Sequence, residues 1–228
     1  MEALMQAIGH WYRVGGWVMV PLAIVSVLGL AVVLERTIFW IGLSRPAVRR
    51  RVGWFARTLR DGNFDAADRK AAESNDPYAR LVAALAGQGR RPIGQAEARE
   101  AIEAQRQAVE RFQGTLSIII TAAPMLGILG TVTGIIDSFA AIGMENGTDP
   151  RLVAGGIAQA LTTTAFGLAV AVAALFPYAI FKNLADRALT RLELLAACAM
   201  EGGTTPTPGA GKRPLAEDPT ATGPSVPG

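Results

Sequence analysis

The chain has 228 residues, of which 50% are hydrophobic, and it carries 22 Lys and Arg against 19 Asp and Glu. That mixture is too apolar for an ordinary water-soluble domain and too charged for a chain lying wholly in lipid, so a membrane bundle with a soluble part is expected. One cysteine, Cys198, excludes an intrachain disulfide, and with a lone His10 it offers no metal-ligand cluster, so neither metal nor cofactor is expected.

Residues 2–13, EALMQAIGHWYR, set Leu4, Ile8 and Trp11 at helical spacing among polar residues, the pattern of a short helix on a membrane surface. Residues 1–14 are therefore expected to form an outer-face amphipathic helix. A first span follows over residues 15–43. It is uncharged from Gly16 to Leu34 and ends in Glu35, Arg36, Phe39 and Trp40, as where a helix meets the membrane–water boundary. No basic segment precedes this stretch and no small-residue cleavage site follows it, which separates it from a cleavable signal peptide.

Residues 44–116 hold 14 of the basic residues and are expected to form a helical loop in water. Breaks at Asp61-Gly62, at Asn75-Asp76-Pro77 and over 87–92 divide its first part into the short helices RRRVGWFARTLR, FDAADRKAAE and PYARLVAALAG. From Gln95 to Gln113 helix formers dominate. Only Gly114 stands between them and the next apolar run, so one unbroken helix is expected to leave the bilayer and continue into water.

The second span, 117–142, contains ITAAPMLGILGTVTGIIDSFAAI, and a short link over 143–154 joins it to a third span, 155–181. Each is long enough for a hydrocarbon core that takes about 20 helical residues, and so short a link makes the two antiparallel neighbours. Lys182, Arg187 and Arg191 carry the third helix on through an extension over 182–201. The Pro-, Gly- and Thr-rich tail, 202–228, has almost nothing to bury and is expected to be disordered. Basic residues concentrated between the first two spans place that loop in the cytoplasm, with the N-terminus and the link outside. The pI near 9.4 is thereby explained without nucleic acid, since no aromatic-interleaved basic motif accompanies it.

On an ideal helix turning about 100° per residue, Pro124, Gly127, Thr131, Gly134 and Ser138 fall in one small or polar stripe. Gly156, Ala160, Thr164, Gly167 and Ala171 form a second. Small residues let helices approach closely in lipid, and Gly130 with Gly134 supplies a GxxxG spacing, so tight packing explains these stripes as well as a pore lining does. A Thr hydroxyl can also satisfy itself on the carbonyl one turn back, the preferred reading for Thr133, Thr162 and Thr163. Thr131 and Thr164 are the better candidates. They lie 18 and 15 residues from Asp149 on opposite arms of the hairpin, so their depths differ by less than a turn. Several copies around a central space would turn the pair into a hydroxyl ring.

No carboxylate stands near mid-membrane: Glu35 lies near the inner end of the first span, and Asp137 toward the outer end of the second. Proton relays use Asp, Glu or His inside the bundle, so a titrating group would have to come from a partner. The cytoplasmic segment shows no nucleophile, metal cluster or phosphate-binding loop, and no enzyme activity is expected. A structural scaffold that recruits cytosolic proteins without ion flux stays open, as does a channel that acts alone.

The stretches APMLGILGTVTGIIDSF, Ala123–Phe139, and GGIAQALTTTAFGLAVAVAALFPY, Gly155–Tyr178, with the Leu34-Glu35-Arg36 ending, resemble the ExbB/TolQ/MotA proton-channel family. Three spans with a moderate cytoplasmic loop resemble its ExbB/TolQ branch. The resemblance implies an all-α homo-oligomer, a pentamer in the bacterial inner membrane, with two helices extended far into the cytoplasm. Its central pore would hold the single spans of an ExbD/TolR-like partner bearing a membrane-embedded Asp. Proton passage through that Asp would power work on a TonB/TolA-like envelope protein. Thr131 and Thr164 stand where the family has pore threonines, and Pro124 matches its second-span proline. One departure is Gln159, where the family often has Glu; it lies about 140° from Thr164, on another face.

Overall fold

A computed structural model describes residues 16–87, 93–144 and 150–204. The expected surface helix over 1–14, the tip of the link and nearly all of the tail lie outside the described residues. Among those described there are seven helices and no strand: α1 (Met19–Leu43), α2 (Pro46–Arg60), α3 (Phe64–Ala71), α4 (Pro77–Ala86), α5 (Gln95–Glu110), α6 (Gln113–Met144) and α7 (Pro150–Thr204).

Helices α1, α6 and α7 are each long and apolar enough to cross a membrane. Their outward faces carry exposed Ile24, Val27 and Leu30 on α1, Ile128, Val132 and Ile136 on α6, and Leu168, Val172 and Leu175 on α7. Such a surface is stable only against lipid tails or further apolar helices. The α6–α7 hairpin is the main contact of the molecule, and α1 leans on it, with Met19 and Leu22 buried against Ala123 and Ala171.

Helices α2, α4 and α5 pack on the second half of α7, which runs unbroken for 55 residues. Helix α2 buries Val48, Val52, Phe55 and Leu59 along one face, and these join Tyr78, Leu81 and Leu85 of α4 and Leu192 and Leu195 of α7 in one core. The sequence breakers act as caps. Asn63 accepts from the Ala66 amide at 3.2 Å to start α3 after Gly62 turns at φ 71°. Asp76 accepts from the Tyr78 and Ala79 amides at 3.0 and 3.1 Å and also takes Ser74 and Arg51, so it starts α4 and ties it to α2. Burial pushes the Tyr78 phenol above its ordinary value, against the opposing Arg191 guanidinium, so the ring sits neutral in this core.

The unbroken helix expected from Gln95 onward is a correction. It is divided at Arg111 and Phe112: Arg111 is extended (φ −48°, ψ 134°) and Phe112 adopts a left-handed φ of 65°. A side chain far off in sequence holds the corner. Arg36 of α1, only 3% exposed, donates to the Ala108 carbonyl at 3.2 Å, satisfying one of the open carbonyls at the end of α5. Its guanidinium also stands 4.7 Å from the Phe39 ring centroid and 5.4 Å from that of Phe112, while Arg111 covers Phe112 at 4.6 Å. Only α7 thus continues from its apolar part without interruption; α6 reaches the bundle of shorter helices through a corner.

Replacing Arg36 with Ala should therefore cost roughly 2–4 kcal/mol, since a charged hydrogen bond and partly desolvated cation–π contacts go together. The readout is the unfolding midpoint in detergent. Arg36→Lys should recover only part of the loss, because an ammonium cannot stack on Phe112 while reaching Ala108 as a planar fork does.

Candidate functional site

The stripes of small residues meet each other inside the hairpin. A Cβ built on Gly127 would come within 3.0 Å of the Thr164 Cα, one on Gly134 within 2.9 Å of the Ala160 Cβ, and one on Gly167 within 2.5 Å of the Ala123 carbonyl oxygen. Gly130 abuts Thr163, and Gly156 abuts Ser138, whose hydroxyl donates to the Gly134 carbonyl at 2.7 Å. Ala160 and Ala171 are buried at 1% and 7% exposure, Ala171 in the small cluster shared with α1. Seven of the stripe positions, Gly127, Gly134, Ser138, Gly156, Ala160, Gly167 and Ala171, are thus used for packing within one copy of the chain. Pro124 is half-buried within the continuous α6.

Thr162 and Thr133 satisfy their hydroxyls on carbonyls of their own helices, Ala158 at 2.8 Å and Leu129 at 3.0 Å, and Thr163, fully buried, does the same on Gln159 at 3.0 Å. Thr131 joins this local group by donating to the Ile128 carbonyl at 2.6 Å. Thr164 is different in kind. It donates across the hairpin to the Gly127 carbonyl at 2.8 Å.

Both candidate hydroxyls have therefore spent their proton inside the chain, and each keeps oxygen lone pairs as acceptors. Their placement is consistent. Gly130 stands against Thr163 and Gly127 against Thr164, so Thr131 and Thr164 on the antiparallel helices differ in depth by about 3–6 Å, roughly a turn at most. Both turn from α1. On α6, Ile119 packs on Gly29 of α1, and Thr131 lies about 120° from Ile119. On α7, Phe166 and Val170 line a small cavity with Met19, Leu22, Ala23 and Ser26 of α1, and Thr164 lies about 160° from Phe166.

Gln159 is on the α1 side. Its amide nitrogen would be 3.3 Å from a Cβ at Gly16, which turns into α1 at φ 69°. A group at position 159 therefore addresses the N-terminal end of the first apolar helix, not the flank that carries Thr131 and Thr164. Among the described residues, no group of His, Cys, Asp or Glu is arranged to hold a metal ion. Arg36 and Phe112 are the structural residues that spacing alone did not single out. The available signal was a basic residue set among aromatics, ERTIFW, just past the apolar run.

Residues 75–194 match the model of the MotA/TolQ/ExbB proton channel family, which takes in α4, α5, all of α6 and most of α7. An ExbB-like biopolymer transport protein of Synechocystis is 34% identical over 177 residues, covering 75% of this chain and 82% of the relative. An ExbB homologue of Methanothermobacter thermautotrophicus is 30% identical over 188 residues, 81% of this chain and 66% of that protein. The ExbB biopolymer transport protein of Pseudomonas putida is 44% identical over 68 residues, 30% of this chain and 21% of its own length. Three apolar helices of spanning length and a match that runs through the threonine-bearing hairpin give one conclusion: this multi-pass membrane protein belongs to the MotA/TolQ/ExbB proton channel family.

Proposed function

We propose that the chain is the proton-channel subunit of an ExbB/TolQ-like ion-driven motor. Several copies, five by analogy, enclose a bore in the bacterial inner membrane, with the N-terminus outside and the C-terminus in the cytoplasm. The bore takes the single span of an ExbD/TolR-like partner that carries a membrane Asp, and proton passage through that Asp is converted into work on a TonB/TolA-like envelope protein.

The observation that carries this reading is the pairing of Thr131 and Thr164, within about a turn of each other in depth, on the hairpin flank turned from α1. Their acceptor lone pairs suit a protonated partner carboxyl or water, while no fixed charge at that level would trap the carboxylate as a permanent ion pair. One charge crossing the membrane is worth about 2.3 kcal/mol per 100 mV, enough to bias such a cycle.

Proteoliposomes test it. The chain with its partner should acidify or alkalinise the lumen according to an imposed potential, and replacing the partner's membrane Asp with Asn should stop the flux. A scaffold would give no flux in either case. Conduction by this chain alone would instead favour a self-sufficient channel.

A further inference from the structure

Helices α2 and α5 lie on opposite flanks of the cytoplasmic part of α7, both packing on it, and their charges are opposed. Helix α2 contains five arginines and no carboxylate, whereas α5 contains four glutamates and two arginines. Solvent exposure sharpens the contrast. The outer strip of α2 is Arg50, Gly53, Trp54 and Arg57, all exposed, and with Lys70 and Glu73 of α3 it borders an open groove of about 830 Å³. The outer strip of α5 is Ala96, Glu100, Glu103, Ala104 and Gln107, also exposed. Glu100 and Glu103 border a groove together with Arg99, Arg106 and Glu193 of α7, and Arg106 pairs with Glu103 at 3.0 Å and Glu110 at 3.3 Å, which leaves Glu100 as the acid nearest the open face. One flank is cationic with a glycine gap where a Cβ would meet open space; the other is acidic with alanines.

We infer that these two flanks dock on each other between neighbouring copies of the chain, α2 of one against α5 of the next around the ring. The inference rests on the homo-oligomeric reading above and adds the cytoplasmic contact that closes it. A surface that joins its complement on the next copy, not itself, builds rings when the rotation closes.

Depth supplies the independent check, because rotation about an axis normal to the membrane moves no residue up or down. Helix α7 serves as the ruler. Arg60 binds Glu201 at 3.0 Å and reaches the Cys198 sulfur at 3.3 Å, which sets Arg57, one turn nearer the membrane, level with about residues 195–198. Antiparallel α5 shares its groove with α7 from Gln95 near Met200 to Arg106 near Glu193, which sets Glu100 level with about residues 195–197. Arg57 of one copy thus comes level with Glu100 of the next, and Arg50, seven residues nearer the membrane, comes level with Gln107. Opposite charges at one depth on two flanks steer and register such a contact.

The full-length protein in membranes, with Cys198→Ala as background, tests this by cross-linking. Arg57→Cys combined with Glu100→Cys should give, with a short bismaleimide, a ladder running beyond the dimer, while neither single cysteine should. In detergent at high dilution, Arg57→Glu and Glu100→Arg should each lower the surviving oligomer by about tenfold, and the two together should return it to within about twofold of the parent.

An oligomer of unchanged native mass with no ladder in the double-cysteine protein would overturn the flank contact and leave the oligomeric reading standing. A monomeric native mass for the parent protein would overturn both. If the acidic exchange at Arg50 and Arg57 weakened only adhesion to phosphatidylglycerol vesicles, and Glu100→Arg restored nothing, the α2 strip would be a lipid-facing surface and the inference would fail.

Discussion

Converting both Thr131 and Thr164 to Val is expected to cut proton-driven turnover about 100-fold while leaving insertion and oligomeric state unchanged. Val keeps the shape and β-branching of Thr and removes only the hydroxyl. Within the chain that loss is small: the Thr131–Ile128 and Thr164–Gly127 bonds supplement carbonyls that already take part in helical ladders, so about 0.5–1.5 kcal/mol each is at stake. At the bore the loss is larger. The two oxygens would accept from the protonated partner carboxyl or from the water that carries its proton, and a buried donor left without its acceptor costs about 1–3 kcal/mol at each position. Each 1.36 kcal/mol is a tenfold change in rate.

The measurement is dye-reported flux in proteoliposomes that contain the partner, beside the native mass of the complex. Thr→Ser at both positions keeps the oxygen and should retain most of the flux. A double-Val protein that pumps at more than half the parent rate would remove the hydroxyl ring from the mechanism.

How much of this was legible in the sequence follows from how local each cause is. The three apolar helices, the breaks at Asp61-Gly62 and Asn75-Asp76-Pro77 and the continuous α7 are governed by residues within a turn or two of one another, and the sequence-based expectations and the structure agree on them; the capping by Asn63 and Asp76 is added by the structure. The corner at Phe112 is not local. Gly114 lies two residues past it, inside α6, yet it is the bulky Phe112 that takes the left-handed backbone, held there by Arg36, whose Ala108 partner is 72 residues away.

The two small-residue stripes were visible as stripes, but periodicity does not say what a stripe faces. Gly127 against Thr164 and Gly167 against Ala123 show a partner within the same chain. Similar depth and a place on the two stripes separate Thr131 and Thr164 from the other threonines in the sequence, but Thr131 bonds locally as the others do. What distinguishes the pair is the flank they share, a property of the folded hairpin.

That hairpin geometry makes Gly167→Ala a sharp test, because two effects oppose each other. In an exposed helix Gly→Ala is worth about 1 kcal/mol of added stability through propensity. At Gly167, however, the new Cβ would lie 2.5 Å from the Ala123 carbonyl oxygen, 3.0 Å from the Gly127 Cα and 3.2 Å from the Gly127 nitrogen. All three are backbone atoms, so no rotamer change relieves the clash and α6 must move as a body. Overpacking of this kind costs about 1–3 kcal/mol or more, which outweighs the propensity gain.

Moving α6 also lengthens the Thr164–Gly127 bond and takes Thr131 out of level, so flux should fall together with stability. Gly155→Ala is the matched control, since its Cβ would meet open space and propensity should prevail, giving an unchanged or raised unfolding midpoint. A Gly167→Ala protein as stable as the Gly155→Ala protein would mean that propensity outweighs packing at this crossing. The two arms would then stand farther apart than backbone contact, and the common level of the two hydroxyls would lose its basis.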